Sequence, residues 1–163
     1  MKFTHRGLLT PPALIPTTPD EFRRVFVEDQ PTAARQAIYL DYQQYVQAFT
    51  EQVTASFVQW IGGSFTTDKA HPRDIDVLTI LDRQVYQMHL PLIEETFAKR
   101  SMAYPLVDAY FLPWVGTNHA KRSLYEADRA YWKHHFGATR RSRQGVRHPR
   151  GYIELSFNNY TYE

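Results

Sequence analysis

Residues 57–81 read FVQWIGGSFTTDKAHPRDIDVLTIL, and they predict two strands joined by a glycine turn and a polar loop. The first strand is FVQWI (57–61), which Gly62 and Gly63 end. The second is DIDVLTIL (74–81), the clearest strand pattern in the chain, with one face formed by Ile75, Val77, Thr79 and Leu81 and the other by Leu78 and Ile80. Because both faces are apolar past the acidic start, we expect this strand at the centre of a sheet.

The residues before this stretch predict an extended arm followed by two helices. Residues 7–19 (GLLTPPALIPTTP) hold too many prolines for a helix or a central strand. Thr18 and Glu21 form a capping box around Pro19, which starts a short helix that ends near Val27. A long amphipathic helix follows, because apolar side chains recur at every third or fourth position, namely Ala34, Ile38, Tyr42, Tyr45, Phe49 and Val53.

The residues after it predict two more helices and two more strands. Pro91 fits the first turn of a helix that runs to about Arg100. LVDAYFL (106–112) is a third strand, and the alternating YIELSF (152–157) is a half-buried strand that ends the fold.

The helix between these two strands is predicted from its ends. Ser123 and Glu126 form a second capping box, and Gly137 stops the helix. One side of this helix carries Leu124, Ala127 and Tyr131. Together the elements predict an α/β or α+β fold, with a mixed central sheet flanked by helices and an N-terminal helical extension.

Length and composition predict one domain. The chain has 163 residues, of which 43% are hydrophobic, and it contains no internal repeat. We expect a single unit over residues 1–163, with an extended arm at 1–18, a helical extension at 19–55 and a core at 56–157.

Composition also excludes several classes of protein. Cysteine is absent, which excludes a disulfide framework and a thiolate metal site and fits a reducing compartment. No window has the apolar length of a signal peptide or a membrane span, so we expect a cytoplasmic protein with no membrane partner. The net charge of +2 neither demands nor excludes a nucleic-acid partner.

Three aspartates are the strongest candidates for chemistry. Asp74 and Asp76 are two apart on a strand, so they leave the same face about 7 Å apart. Asp108, on a neighbouring strand, can converge on them. Such carboxylates raise each other's pKa unless a divalent cation such as Mg²⁺ joins them, together with substrate phosphates. The alternative is an ordinary solvated strand entrance.

The glycine turn supplies groups that suit a phosphate. Gly62 and Gly63 let the backbone approach a ligand closely, and exposed amides with the Ser64 hydroxyl can bind phosphate oxygens. Such a turn, or an Asp-x-Asp pair, is most often structural when it stands alone. The ordered set of turn, acidic pair and isolated strand aspartate favours a ligand site.

This ordered set resembles a known superfamily. IGGS, nine residues and then DIDV are similar to the signature of the DNA polymerase β-type nucleotidyltransferases, and VDAYFL resembles their third acidic strand. More narrowly, the span from TPDEF to YWKHHFG and GYIEL is similar to a family of short bacterial nucleotidyltransferase-like proteins. The resemblance implies a minimal nucleotidyltransferase fold in which the turn (Gly62, Gly63, Ser64) binds the triphosphate of an NTP and the acids (Asp74, Asp76, Asp108) are catalytic and carry two metals.

Several basic residues are secondary candidates. Lys69, in the loop after the turn, can touch a phosphate or be a solvated loop lysine. Lys133 can reach the β- and γ-phosphates, as a basic residue on a later helix does in many members of the superfamily. A short basic stretch, TRRSRQGVRHPRG (139–151), is either a solvated loop or a contact for RNA or phosphate through Arg140, Arg141, Arg143 and Arg147.

We therefore expect a Mg²⁺- or Mn²⁺-dependent transfer of an NMP from an NTP to a hydroxyl of RNA, such as a tRNA 3′ end, or of a protein. The resemblance also implies a toxin–antitoxin or phage-defence setting, with a cognate antitoxin or toxin as partner. The alternative is a nucleotide-sensing or partner-binding antitoxin module with little turnover. A third reading is a structural RNA-binding protein. The usual second domain for recognising the base and the acceptor is absent from this chain or supplied by a partner.

Overall fold

A five-stranded mixed sheet forms the centre of the computed structural model, which describes residues 1–99 and 101–162. The strands are β1 (Lys2–Phe3), β2 (Leu9–Thr10), β3 (Leu14–Pro16), β4 (Phe57–Gly62), β5 (Ile75–Asp82), β6 (Val107–Trp114) and β7 (Tyr152–Phe157). The order in the main sheet is β3-β7-β4-β5-β6, while β1 and β2 form a separate antiparallel pair. The β3–β7 and β5–β6 pairs are parallel, and the other two are antiparallel.

Helices cover both faces of this sheet. They are α1 (Pro19–Arg23) with a π-helical turn (Arg24–Glu28), α2 (Ala33–Gln52), α3 (Arg83–Met88), α4 (Leu90–Leu92) with a π-helical turn (Ile93–Phe97), and α5 (Arg122–Phe136). Among the described residues, none of these helices combines the length and apolar character needed to cross a membrane. The predicted α+β fold with a mixed sheet is confirmed.

The core has two parts, one on each face of the sheet. On the first face, α1, α2 and both π-helical turns pack against β4 and β5 through aromatic rings that include Phe22, Phe26, Tyr45, Phe49, Phe57 and Phe97. On the second face, α5 packs against the sheet through Trp60, Leu78, Ile80, Tyr125, Phe136 and Tyr152. Because β5 contributes to both parts, its predicted central position is confirmed.

The N-terminal arm is extended, as predicted, and its last part joins the edge of the sheet. Leu14–Pro16 pairs in parallel with β7, where a proline is tolerated because an edge strand needs fewer donors. The Thr18 hydroxyl accepts a hydrogen bond from the Glu21 amide at 3.2 Å, which confirms the predicted cap. The other half of the predicted capping box is wrong, because the Glu21 carboxylate accepts from the Thr17 hydroxyl at 3.0 Å and not from the Thr18 amide.

The helix predicted to begin at Pro91 is confirmed at its start, because α4 begins at Leu90 with Pro91 in its first turn, whereas α3 before it was not predicted. β5 passes directly into α3. The Asp82 carboxylate at the end of β5 caps α3, because it accepts hydrogen bonds from the Gln84 amide at 2.7 Å and the Val85 amide at 3.2 Å. Pro91 lies in the first turn of the short α4. The predicted end at Arg100 lies outside the described residues.

The predicted start and face of α5 were also wrong. Ser123 lies inside the helix, Lys121 is at the N-cap without a side-chain hydrogen bond, and Glu126 pairs with Arg122. The side formed by Leu124, Ala127 and Tyr131 is exposed; the buried side chains are Tyr125 and Phe136. Gly137 ends the helix as predicted, with its amide donating to the Lys133 carbonyl at 2.9 Å.

Candidate functional site

Three adjacent strands bring the glycine turn and two aspartates into one row. In the antiparallel pair, Gly62 at the end of β4 lies opposite Asp76 in β5. In the parallel pair, Asp76 lies opposite Asp108 in β6. Neighbouring strands are about 4.8 Å apart, so the row places the turn and both carboxylates at one end of the sheet.

Both glycines of the turn permit close packing that a side chain would block. Gly63 has a φ of +74°, and a Cβ there would lie 1.7 Å from Asp76 Oδ2. A Cβ on Gly62 would lie 2.2 Å from Phe136 Cδ1. The turn therefore lies close to the Asp76 carboxylate and to the end of α5. A close approach of the turn to a ligand stays a prediction.

The Asp76 carboxylate has an unusual electrostatic environment. Burial raises its pKa to about 6, and the charges of Asp74 and Asp108 add to this rise, while Arg150 and Arg140 oppose it. A carboxyl group with this pKa is close to titration at neutral pH. A bound cation would favour its ionised form.

Asp108 is engaged by two neighbours that the sequence analysis did not identify. Lys99 Nζ lies 2.9 Å from Asp108 Oδ2, and the Tyr110 hydroxyl donates to the same oxygen at 3.0 Å. Lys99 also contacts the Tyr110 hydroxyl, and these hydrogen bonds raise the lysine pKa. Tyr110 lies two residues after Asp108 on the same face of β6, which is a signal that the strand periodicity contains. Nothing in the sequence spacing points to Lys99.

A cleft of about 450 Å³ lies beside Asp76. Of the predicted site residues, it is lined by Gly63, Ser64, Lys69, Asp74, Asp76, Arg140 and Arg147. Gly62, Asp108, Lys133, Arg141 and Arg143 are not among its lining residues. Its walls also contain charged and aromatic side chains that were not predicted there, among them Arg73, His135, Phe136 and Arg150. Five cationic side chains thus face two carboxylates, which makes the cleft a place for an anion.

Arg150 braces the cleft wall, although phosphate contacts were predicted for the other arginines of its stretch. Its Nε donates to the Phe136 carbonyl at 3.0 Å, and its NH1 donates to the Gly63 carbonyl at 2.7 Å. Arg147 instead donates to the carbonyls of Thr139 at 2.8 Å and His134 at 3.2 Å. Arg150 therefore joins α5 to the glycine turn, while Arg147 joins α5 to the basic stretch.

A buried arginine holds the loop that follows the turn. Arg35 in α2 is 0% exposed, and its guanidinium donates to four backbone carbonyls, those of Phe26 at 2.9 Å, Phe65 at 2.8 Å, Thr67 at 2.6 Å and Lys69 at 2.9 Å. Arg35 was not among the residues predicted for the site. A signal was present, because Arg35 precedes Ile38 by three residues on the apolar side of the helix. The helical extension therefore shapes this loop.

The site residues suit a divalent metal that is bound jointly by the protein and by substrate phosphates. They suit a metal held by protein ligands alone less well. Within residues 1–99 and 101–162, no group of three or more histidine or acidic side chains is arranged to hold a metal. Mg²⁺ commonly uses one or two carboxylates plus substrate phosphates. Asp74 and Asp76, both in the cleft wall, supply that smaller set.

Comparison with known proteins gives one match. A family model described as "Family of unknown function (DUF6932)" matches residues 1–156, a span that includes every predicted site residue. No curated protein and no solved structure matches the chain.

Proposed function

We propose that this chain, which belongs to the family of unknown function DUF6932, is a divalent-metal-dependent nucleotidyltransferase. One observation carries the proposal. Asp76 lies against the glycine turn in the wall of a cationic cleft, and burial together with the charges of Asp74 and Asp108 raises its pKa to about 6. The resemblance of IGGS and DIDV to polymerase β-type enzymes supports the same reaction.

The cleft walls suit the triphosphate of an NTP. Ser64 offers a hydroxyl beside the glycine turn, while Lys69 and Arg140 offer exposed cations in the same cleft. Arginine and lysine bind phosphate oxygens through charge-assisted hydrogen bonds. We assign these groups to the triphosphate, with Arg150 holding the turn in place.

Asp74 and Asp76 would hold the metal, which would polarise the α-phosphate and stabilise the charge that develops on it. In the transfer, the acceptor oxygen forms a bond to the α-phosphorus, the bond from that phosphorus to the bridging oxygen breaks, and pyrophosphate leaves with the electron pair. We assign Asp108, opposite Asp76 in the sheet row, to receive the proton of the acceptor hydroxyl. The arginines favour RNA over protein as the acceptor.

A second candidate is a nucleotide-sensing or partner-binding module with little turnover. The ion pair between Lys99 and Asp108 favours it, because an ammonium at 2.9 Å already neutralises the third carboxylate. Both candidates predict binding of a metal–NTP complex. Only the enzyme releases pyrophosphate.

Label transfer tests the proposal. The full chain is incubated with Mg²⁺ or Mn²⁺, each of four α-³²P NTPs, and total tRNA or cell lysate. We expect label on RNA, with matching pyrophosphate release, and its loss in a double variant, Asp74→Asn with Asp76→Asn. Asp128→Asn, an exposed acid on α5, is the matched control and should remain active. Binding of NTP without label or pyrophosphate from any nucleotide would support the sensing module instead.

A further inference from the structure

Charge is unevenly distributed along the chain. Residues 129–153 contain seven arginine and lysine residues and no aspartate or glutamate. The whole chain carries a net charge of only +2, so the remaining residues are net acidic. The segment forms the second half of α5, the basic stretch and the start of β7. Arg129 pairs with Glu126 at 3.9 Å, outside the segment, and the remaining concentration of positive charge is of the kind that attracts a polyanion.

The basic stretch is an ordered hairpin. We call residues 139–148 the arginine hairpin. The Thr139 amide donates to the His148 carbonyl at 2.9 Å, and the Ser142 amide donates to the Val146 carbonyl at 2.8 Å. Arg147 ties the hairpin to α5 through the His134 carbonyl. The other arginines, Arg140, Arg141 and Arg143, are exposed.

An aromatic pair with one exposed and one half-buried ring lies on α5, next to the cleft that the hairpin also lines. Tyr131 is 60% exposed, and its ring stacks on His135 with 5.9 Å between the centroids and 24° between the planes. His135 also lines the cleft. Burial and the neighbouring arginines lower the His135 pKa, which keeps the imidazole neutral at neutral pH. An aromatic surface thus extends from the solvent to the mouth of the cleft.

We infer that the arginine hairpin and the Tyr131–His135 stack form a binding surface for single-stranded RNA whose 3′ end reaches the cleft. Unpaired bases can stack on exposed aromatic rings, whereas the bases of a duplex are already stacked on each other. Arginines neutralise the backbone without reading sequence. An acidic protein would use the same charges but would not need the aromatic ring. The role of acceptor rests on the proposed function, but RNA binding itself does not.

Binding of labelled oligonucleotides tests this surface without NTP or metal. A single-stranded RNA of about 12 nucleotides, the matching duplex, single-stranded DNA and polyglutamate are compared over a series of salt concentrations. We expect single-stranded RNA to bind about tenfold more tightly than the duplex. Tyr131→Ala should weaken binding by about 5- to 100-fold, while Tyr131→Phe should keep it. Arg141→Ala with Arg143→Ala should reduce the salt slope by about 1.4, which is about 0.7 for each phosphate contact to a single strand.

Leu124→Ala is the matched control, because Leu124 is 59% exposed on the same helix. It should bind RNA like the wild type. Equal affinity of Tyr131→Ala and wild type, equal binding of duplex and single strand, or preference for polyglutamate would overturn the inference. RNA binding without label transfer would leave the surface standing and remove only its role as acceptor site. Label transfer to RNA without the predicted effect of Tyr131→Ala would overturn the surface and leave the enzyme.

Discussion

At the residue scale, Gly63 and Asp76 depend on each other. The carboxylate occupies the space in which any other residue at position 63 would carry its Cβ, and the backbone there has a positive φ. The position of the Asp76 carboxylate therefore requires a glycine at position 63. Substitution of either Gly63 or Asp76 should therefore change the free energy of unfolding.

Gly63→Ala should destabilise the protein more than Gly145→Ala. Both glycines have a positive φ, +74° and +79°, but only Gly63 faces an atom within 4 Å. The strain alone should cost about 1–2 kcal/mol at Gly145, and the clash should add about 1–3 kcal/mol at Gly63. Urea unfolding measures both free energies. Equal losses would mean that Asp76 moves aside freely.

The raised pKa of Asp76 predicts a pH dependence of stability. Its pKa rises from the ordinary 3.8 to about 6 on folding, so the folded protein binds the proton more strongly than the unfolded chain does. The free energy of unfolding of the wild type, relative to Asp76→Asn, should therefore fall between about pH 4 and pH 6 and level off above, by at most about 3 kcal/mol. Urea unfolding of both proteins at several pH values measures the difference. Parallel curves would show that Asp76 titrates normally.

Residues with a periodic or motif context could be predicted, and residues defined by tertiary contacts could not. The acidic pair and the glycine turn were visible because their spacing is local. Arg150 joins the site through a contact with Gly63, which is far from it in sequence, and Lys99 joins it through a contact with Asp108 that no helix or strand period connects. No local spacing encodes such contacts.

At the element scale, the strands β4, β5 and β6 were predicted because they are short apolar runs, and the helix α2 was predicted because apolar side chains recur at every third or fourth position. The errors arose at the starts of helices and in the choice of a buried face. Asp82 ends β5 and caps α3 at once, so no loop marks the boundary. In α5, Leu124 and Tyr131 have the spacing of a buried face but are exposed. The buried face contains Tyr125 and Phe136. Here the tertiary packing overrides the local pattern.

Arg35 should be essential for the conformation of the loop over residues 65–70. Arg35→Met removes four hydrogen bonds to carbonyls and should lower the free energy of unfolding by at least about 3 kcal/mol. Its exposed neighbour Gln36 provides the control, and Gln36→Met should change stability by less than about 0.5 kcal/mol. Urea unfolding and hydrogen exchange of the loop amides measure the effect. Unchanged exchange in Arg35→Met would contradict this role.

At the scale of the whole molecule, helices on both faces leave the end of the sheet open, and the cleft lies there. The glycine turn, the acids and the basic segment come from β4, β5, β6, α5 and β7. The α+β class followed from the order of elements along the chain. The position of β7 between β3 and β4 did not, because pairing between distant strands leaves no local signal.

Binding of a metal–NTP complex should stabilise the whole fold. At a ligand concentration of 100 times Kd, the gain is about 2.7 kcal/mol, which corresponds to a Tm increase of about 5–10 °C. The double variant of Asp74→Asn and Asp76→Asn should lose most of this increase, because the proposed metal ligands are gone. Thermal unfolding with NTP, with and without Mg²⁺, measures it. The same increase in the double variant would exclude these carboxylates as the metal ligands.

The pairing of β3 with β7 has a consequence for biosynthesis. Leu14 pairs with Tyr152, so β3 is synthesised well before the strand that it pairs with. Until β7 has emerged from the ribosome, β3 has no partner and one edge of β4 is open. Exposed strand edges can pair with other chains. The nascent polypeptide is therefore prone to aggregation until β7 has formed. A chaperone that covers the open edge of β4 would act during this interval.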